Sequence, residues 1–237
     1  GAAQVVAKNV AARGGLAAWQ AVQTMSWKGR LGAGATTYPV VTAGGHLQEK
    51  QRAEPELPFE LDFKRPQKSR LEIQFNGQTA VQLFDGANGW KYRPYLGRSQ
   101  WEAYTPEEAR LAAAEPGING YLIDYAAHGA RIESAGREML EGRSTYKLKV
   151  TLQSGAVRHV WVDAQTFLDV QIEGTPRRLD GRAHAVVIHL RDFRPEHGLM
   201  IPHTLETAVQ GVPRSETISI DSVAVNPALD DSRFSRS

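Results

Sequence analysis

From Gly142 to Arg194 the chain alternates apolar and polar side chains. Tyr146, Leu148, Val150 and Leu152 alternate with Lys147, Lys149 and Thr151. A period of two belongs to a strand with one buried and one wet face. Ser154-Gly155 breaks the pattern as a tight hairpin turn does, and Val157 to Asp163 reads as the return strand. Thr166 to Gly174 reads as a third strand, and Asp180-Gly181 turns it into a fourth. The pattern predicts an antiparallel meander, and much of the remaining chain repeats it.

At the start, Val6, Val10, Leu16, Trp19 and Val22 follow helical spacing, so residues 1–23 are expected to form two helices split at Gly14-Gly15. Trp27, Gly29 and Leu31 then alternate with Ser26, Lys28 and Arg30. Gly32-Ala-Gly-Ala reads as a break or bulge, and Glu54-Pro-Glu-Leu-Pro as a loop. Thr36 to Thr42 contains Pro39 and reads as an edge strand, followed by a polar strand from Leu47 to Ala53. Phe59, Leu61 and Phe63 form one apolar face, and Leu71, Ile73 and Phe75 another. Asn76-Gly77 is a strong hairpin signal, and Val81, Leu83, Trp90 and Tyr92 continue the alternation.

Thr105-Pro-Glu-Glu carries the marks of a helix start: a hydroxyl cap, proline in the first turn, and carboxylates at the positive end of the dipole. That helix is expected to stop at Pro116-Gly117, with a second short helix over Ile118 to Ala127. Arg131 to Leu140, Leu199 to Gln210 and Glu216 to Val225 read as further strands, and residues 226–237 as a loose tail. The expectation is a single domain over residues 1–237, mainly β (α+β), with about 11 antiparallel strands and helices at the start and middle.

Composition narrows the function classes. With 41% hydrophobic and 23% charged residues the chain can bury a core. A net charge of +2, without clustered basic and aromatic residues, argues against a nucleic-acid partner. Cysteine is absent, which removes disulfides, thiolate metal sites and a cysteine nucleophile. No apolar run approaches the ~18 residues of a spanning helix. The first residues, Gly-Ala-Ala without Met, read as those of an exported protein whose signal peptide has been removed.

Candidate chemistry is sparse. No His-Glu-x-x-His, Gly-x-Ser-x-Gly or phosphate-cradling glycine loop occurs. His184 and His189, five apart in a strand, face opposite sides, and His159 shares its parity with Val157 and Trp161. His197 and His203 flank a turn. No catalytic residue, metal site or cofactor is assigned, and the chain is not expected to be an enzyme.

The faces carry more information. A sheet with a continuous apolar face must cover it. Either two sheets pack as a sandwich, or one curved sheet wraps around helices and leaves a hollow. The candidate walls of such a hollow are Trp27, Leu31, Phe59, Leu61, Phe63, Leu71, Ile73, Phe75, Val81, Leu83, Trp90, Tyr92, Leu122, Tyr146, Leu148, Val150 and Trp161, with helices over residues 105–127 as a lid.

A resemblance sharpens this. The opening Ala-Arg-Gly-Gly-Leu-x-x-Trp-x-x-Val resembles the periplasmic outer-membrane lipoprotein-sorting proteins, the LolA/LolB-like superfamily. So do Trp-Lys-Gly-Arg, Asp85-Gly-x-Asn-Gly-Trp-x-x-x-Pro94, Tyr146-Lys-Leu-Lys-Val-Thr and Val-Trp-Val-Asp-Ala. The resemblance spans nearly the whole chain. It implies an unclosed antiparallel β-barrel with helices as a lid over an apolar cavity. It further implies a monomeric periplasmic carrier of lipid or acylated lipoprotein cargo, served by an inner- or outer-membrane transfer partner. The alternative it allows is an envelope sensor or adaptor that binds a membrane or signalling protein.

Overall fold

Gly14 and Gly15 divide the N-terminal segment because both adopt positive φ, +121° and +93°. A Cβ on Gly14 would stand 2.5 Å from the Gly198 carbonyl oxygen, so only glycine fits there. Helix α1 (Ala2–Ala12) precedes the pair and α2 (Leu16–Gln20) follows it. The computed structural model describes residues 1–32, 35–53 and 56–236. Ala33-Gly34 of the expected bulge, and Glu54-Pro55 of the loop, lie outside them.

The strands of the first half are β1 (Thr24–Gly32), β2 (Ala35–Val41), β3 (Leu47–Ala53), β4 (Leu57–Lys64), β5 (Lys68–Phe75), β6 (Gln78–Phe84), β7 (Gly89–Tyr92) and β8 (Glu102–Ala103). Helix α3 (Pro106–Ala114) follows. The second half contributes β9 (Arg131–Leu140), β10 (Arg143–Thr151), β11 (Val157–Asp163), β12 (Asp169–Glu173), β13 (Arg177–Leu179), β14 (Arg182–His184), β15 (Val186–Glu196), β16 (Leu199–Val209) and β17 (Glu216–Val225).

Thirteen of these strands form one antiparallel sheet in the order β8-β7-β6-β5-β4-β1-β17-β16-β15-β12-β11-β10-β9. The sheet curves without closing, with β8 and β9 as its free ends, so the molecule is an unclosed barrel and not a sandwich. The count of about 11 strands is too low. The main sheet has 13 strands, and β2–β3 and β13–β14 form two further hairpins of their own. Asp180-Gly181 turns the small β13–β14 hairpin and does not join two long strands.

Local signals explain several elements. Asn76 and Gly77 both have positive φ, 49° and 74°, as a two-residue hairpin turn demands. Thr105 caps α3, its side chain accepting from the Glu108 N–H at 3.2 Å. Residues 118–127 are not the expected helix. Gly117, Gly120 and Asp124 all take positive φ, leaving short 3-10 turns at Gly117–Asn119 and Tyr125–His128. The segment is therefore an irregular strap.

Two apolar clusters form the core, both on the helix-covered inner face. Trp19, Val22, Met25, Phe59, Ile201 and Ile220 pack under α2. Val6 of α1 packs with Leu148, Val150, Val160, Val162 and Leu122. The tail is not loose. Asp231–Phe234 forms a 3-10 turn, Phe234 is 1% exposed, and Arg233 forms an ion pair with the fully buried Asp62.

Candidate functional site

Strand registers decide which candidate residues share a face. Trp27 pairs with Leu61, Leu61 with Leu71, and Phe59 with Ile73. Trp27, Leu31, Phe59, Leu61, Phe63, Leu71, Ile73 and Phe75 therefore line one inner face. Trp27 and Phe63 meet edge to face at 5.4 Å. On the far half, Leu148 opposes Val160, and Tyr146 opposes Val162, so Tyr146, Leu148 and Val150 face the same interior.

Five candidates stand on the opposite parity of the sheet, although Val81 and Tyr92 also line a hollow. Val81 pairs with Glu72, and Leu83 with Arg70, which places both on the outer face with their partners Tyr92 and Trp90. The tail crosses this face: the Arg70 Nη1 donates to the Arg233 carbonyl, and Arg236 sits over the Trp90 ring at 5.0 Å, while Tyr92 packs against Trp101 at 5.4 Å. Trp161 is also on the outer face, opposite Lys147. Lys147 stacks over its ring at 5.2 Å and Glu138 accepts from its indole N–H. The sequence from Val157 to Asp163 has apolar residues at both parities, so alternation alone does not select the inner one.

The inner face holds a cavity of about 390 Å³ beneath the strap, between the two core clusters. Phe63, Leu122, Val160, Ile172 and Ile188 form its apolar wall. Ile172 and Ile188 face each other across β12 and β15. A Cβ on Gly174 would come within 3.1 Å of Val186 and 3.3 Å of Ile188, so glycine keeps that wall open. A second hollow, about 330 Å³, lies farther along the same face against Leu57, Leu71, Ile73, Phe75 and Tyr95, with Val81 and Tyr92 at its margin. Phe75 and Tyr95 meet there edge to face at 5.9 Å.

Polar groups border the first cavity. Asp169 lines it, accepts from the buried Asn9 amide at 3.0 Å, and pairs with Arg13 at 3.5 Å. At the opposite border, Glu115 accepts from the Tyr121 hydroxyl at 3.1 Å and from Thr175. Burial, reinforced by the Glu115 carboxylate, pushes the Tyr121 hydroxyl well above its ordinary range. Glu115, Pro116, Gly120 and Tyr121 also line a more polar outer hollow of about 630 Å³ that includes Arg65, Arg110 and His128. The strap is therefore a partition, apolar on one side and polar on the other.

Arg65 ties the strap down. Its Nη2 donates to Asn119 Oδ1 at 2.6 Å and to the Trp19 carbonyl at 3.0 Å. Burial lowers the affinity of this guanidinium for its proton. Ile172, Ile188, Asp169 and Glu115 line the cavity although the alternation did not single them out, and Arg158 stands beside Glu115. Arg158 carried a signal: it shares the parity of Val160 and Val162, a charge in an apolar register.

Among the described residues no group of three His, Asp or Glu side chains gathers to hold a metal ion. No protein-family model matches the chain, and no curated protein matches it. Solved structures do. A LolA superfamily protein from Nitrosomonas europaea superposes with a TM-score of 0.61 at 13% identity, over 99% of this chain and 97% of that one. A domain from Vibrio parahaemolyticus, described as an outer membrane lipoprotein-sorting protein, gives 0.58 at 11% identity over 98% and 95%. A DUF1329 family protein from Desulfovibrio piger gives 0.58 at 13% identity over 99% and 97%. At such identities the likeness is one of fold, and the fold is LolA-like.

Proposed function

We propose that this LolA-like chain is a periplasmic carrier that holds the acyl chain of a lipid or lipoprotein in the cavity beneath its strap. The observation that carries the reading is the cavity of about 390 Å³ walled by Phe63, Leu122, Val160, Ile172 and Ile188. Its size lies within the range of roughly 300–1,000 Å³ found for small-molecule sites. The similarity in fold to a domain described as lipoprotein-sorting supports the same reading. The reading assigns no reaction and no cofactor to the chain, and takes it as a monomer that meets a membrane partner only to load or unload.

The physical need for such a carrier is large. Each CH₂ exposed to water costs about 0.8 kcal/mol, so a chain of about 16 carbons costs on the order of 12 kcal/mol. Opening the strap breaks a few hydrogen bonds and uncovers the buried Leu122 and Ile123, a cost that burial of the acyl chain itself can offset.

Native mass spectrometry of protein purified from a bacterial periplasm, followed by extraction and identification of what it holds, tests the reading. A stoichiometric acylated molecule supports it. Protein that carries nothing and ignores added fatty acid and lysolipid overturns it. One feature favours a second reading, an adaptor for a membrane or signalling protein. Val41 and Leu47 pair at the tip of the β2–β3 hairpin, 66% and 74% exposed. A stable complex with such a protein that needs no lipid would select it.

A further inference from the structure

Arg158 is 7% exposed, and beside the neighbouring Tyr121 hydroxyl its guanidinium has few close acceptors. Nη1 donates to the Val157 carbonyl at 3.0 Å, and Nε has no hydrogen-bond partner among the described residues. Its carboxylate partner, Glu115 Oε1, stands 3.9 Å from Nη2, beyond hydrogen-bond reach. A buried cation needs close, directed acceptors, because desolvation otherwise outweighs the attraction.

Glu115 is not placed there by its own helix. It is the C-terminal cap residue of α3, where the dipole is negative and a carboxylate is disfavoured. It nonetheless reaches across to Tyr121, Thr175 and Arg158. These groups form a cluster of donors around one anionic position. That position lies at the border of the apolar cavity, since Glu115, Tyr121 and Thr175 all line it. Arg158 is two residues from the wall residue Val160, on the same face of β11, about 6.6 Å along the strand.

We propose that this cluster is a headgroup site for an anionic single-chain amphiphile, a carboxylate or phosphate whose acyl chain runs into the cavity past Val160. The inference rests on the carrier reading and names the cargo's headgroup chemistry. The ligand's anion takes the place of the Glu115 carboxylate. It accepts from Arg158, from the Tyr121 hydroxyl and from the Thr175 hydroxyl, and Glu115 moves out toward the polar hollow. Because Glu115 joins α3 to the strap, its release also frees one end of the partition, coupling headgroup binding to opening.

The test compares laurate with dodecanol, which share a chain and differ in charge, by calorimetry on the intact protein, with inorganic phosphate as a chainless control. Laurate is expected to bind about tenfold or more tighter than dodecanol, and phosphate alone only weakly. Arg158→Met is expected to abolish the preference for laurate over dodecanol. Arg158→Lys should keep part of the preference, and a thermal melt shows that each variant is folded. Glu115→Gln, which removes the competing anion, is expected to widen the preference for laurate over dodecanol about threefold or more. Equal binding of the two ligands to the native protein overturns the proposal, as does equal weakening of both by Arg158→Met; either leaves the carrier reading standing. If neither ligand binds, the carrier reading falls and the headgroup site falls with it.

Discussion

Arg65 and Asn119 hold the strap against the N-terminal helices: the guanidinium Nη2 donates to the amide oxygen at 2.6 Å while also donating to the Trp19 carbonyl. Asn119 is 3% exposed and makes a second contact, 2.9 Å to His128, which steadies the far end of the strap. One side chain thus connects both ends of the partition to the frame.

Asn119→Ala should loosen the strap selectively. A hydrogen bond to a charged group contributes about 1.5–3 kcal/mol, and the guanidinium keeps its bonds to the Trp19 and Val22 carbonyls. Hydrogen exchange should accelerate over residues 117–128 while β10 and β11 stay protected. The melting temperature should fall by several degrees, at about 2–4 °C per kcal/mol for a chain of this size. Unchanged exchange in the strap would show that Asn119 does not hold it.

The two faces of β11 and β12 give a paired prediction. Ile172 lines the cavity, so Ile172→Asp places a charge where the acyl chain would lie and should abolish binding of laurate. Trp161 is on the opposite face, 6% exposed between Lys147, Glu138 and His159. Trp161→Ala should cost on the order of 3 kcal/mol in a urea titration and leave ligand affinity intact. Loss of binding in the Trp161 variant alone would reverse the assignment of the faces.

What could be read from the sequence was what is decided locally. Thr105 and Asn76-Gly77 act within a few residues, and the structure has the cap and the turn they announce. The inner face of β1, β4 and β5 was legible for a similar reason: only one parity there is apolar. At Val157–Asp163 both parities are apolar, and register, set by neighbouring strands, decides which is inside. The strap looked helical because the run from Ile118 to Ala127 is apolar, but positive φ at Gly117, Gly120 and Asp124 overrides that pattern. The tail was illegible because its anchor is remote: Arg233 meets Asp62 across 171 residues of sequence.

That anchor is itself testable. Phe234 is 1% exposed, and the Arg233 guanidinium reaches Asp62, Glu60 and Glu72 on the outer face. Phe234→Ala should destabilise the protein by about 3 kcal/mol or more, as expected for a buried phenylalanine. Arg233→Ala should also be costly, because Asp62 is left as a fully buried carboxylate without its cation. Chemical denaturation measures both, and a tail truncated after Pro227 should lose at least as much as either. A truncated chain as stable as the full one would mean that the tail only rests on the sheet.

Acid should act through Asp163, which is 4% exposed at the end of β11. Burial pushes its carboxyl up, but the backbone N–H groups of Thr166 at 2.9 Å and Gln165 at 2.7 Å, with Arg143 at 3.6 Å, outweigh burial and hold it below the ordinary carboxylate range. A depressed native value means that the unfolded chain binds this proton more readily. The stabilisation is therefore fully present above the unfolded value, about pH 4, and is lost as pH falls from there through the native value. The slope for one proton is at most about 1.4 kcal/mol per pH unit. Asp163→Asn keeps an acceptor for the two N–H groups but cannot titrate. Its urea midpoint should therefore fall less steeply than that of the native protein between about pH 4 and pH 3. Parallel curves for the two proteins over that interval would assign the acid sensitivity to other carboxylates.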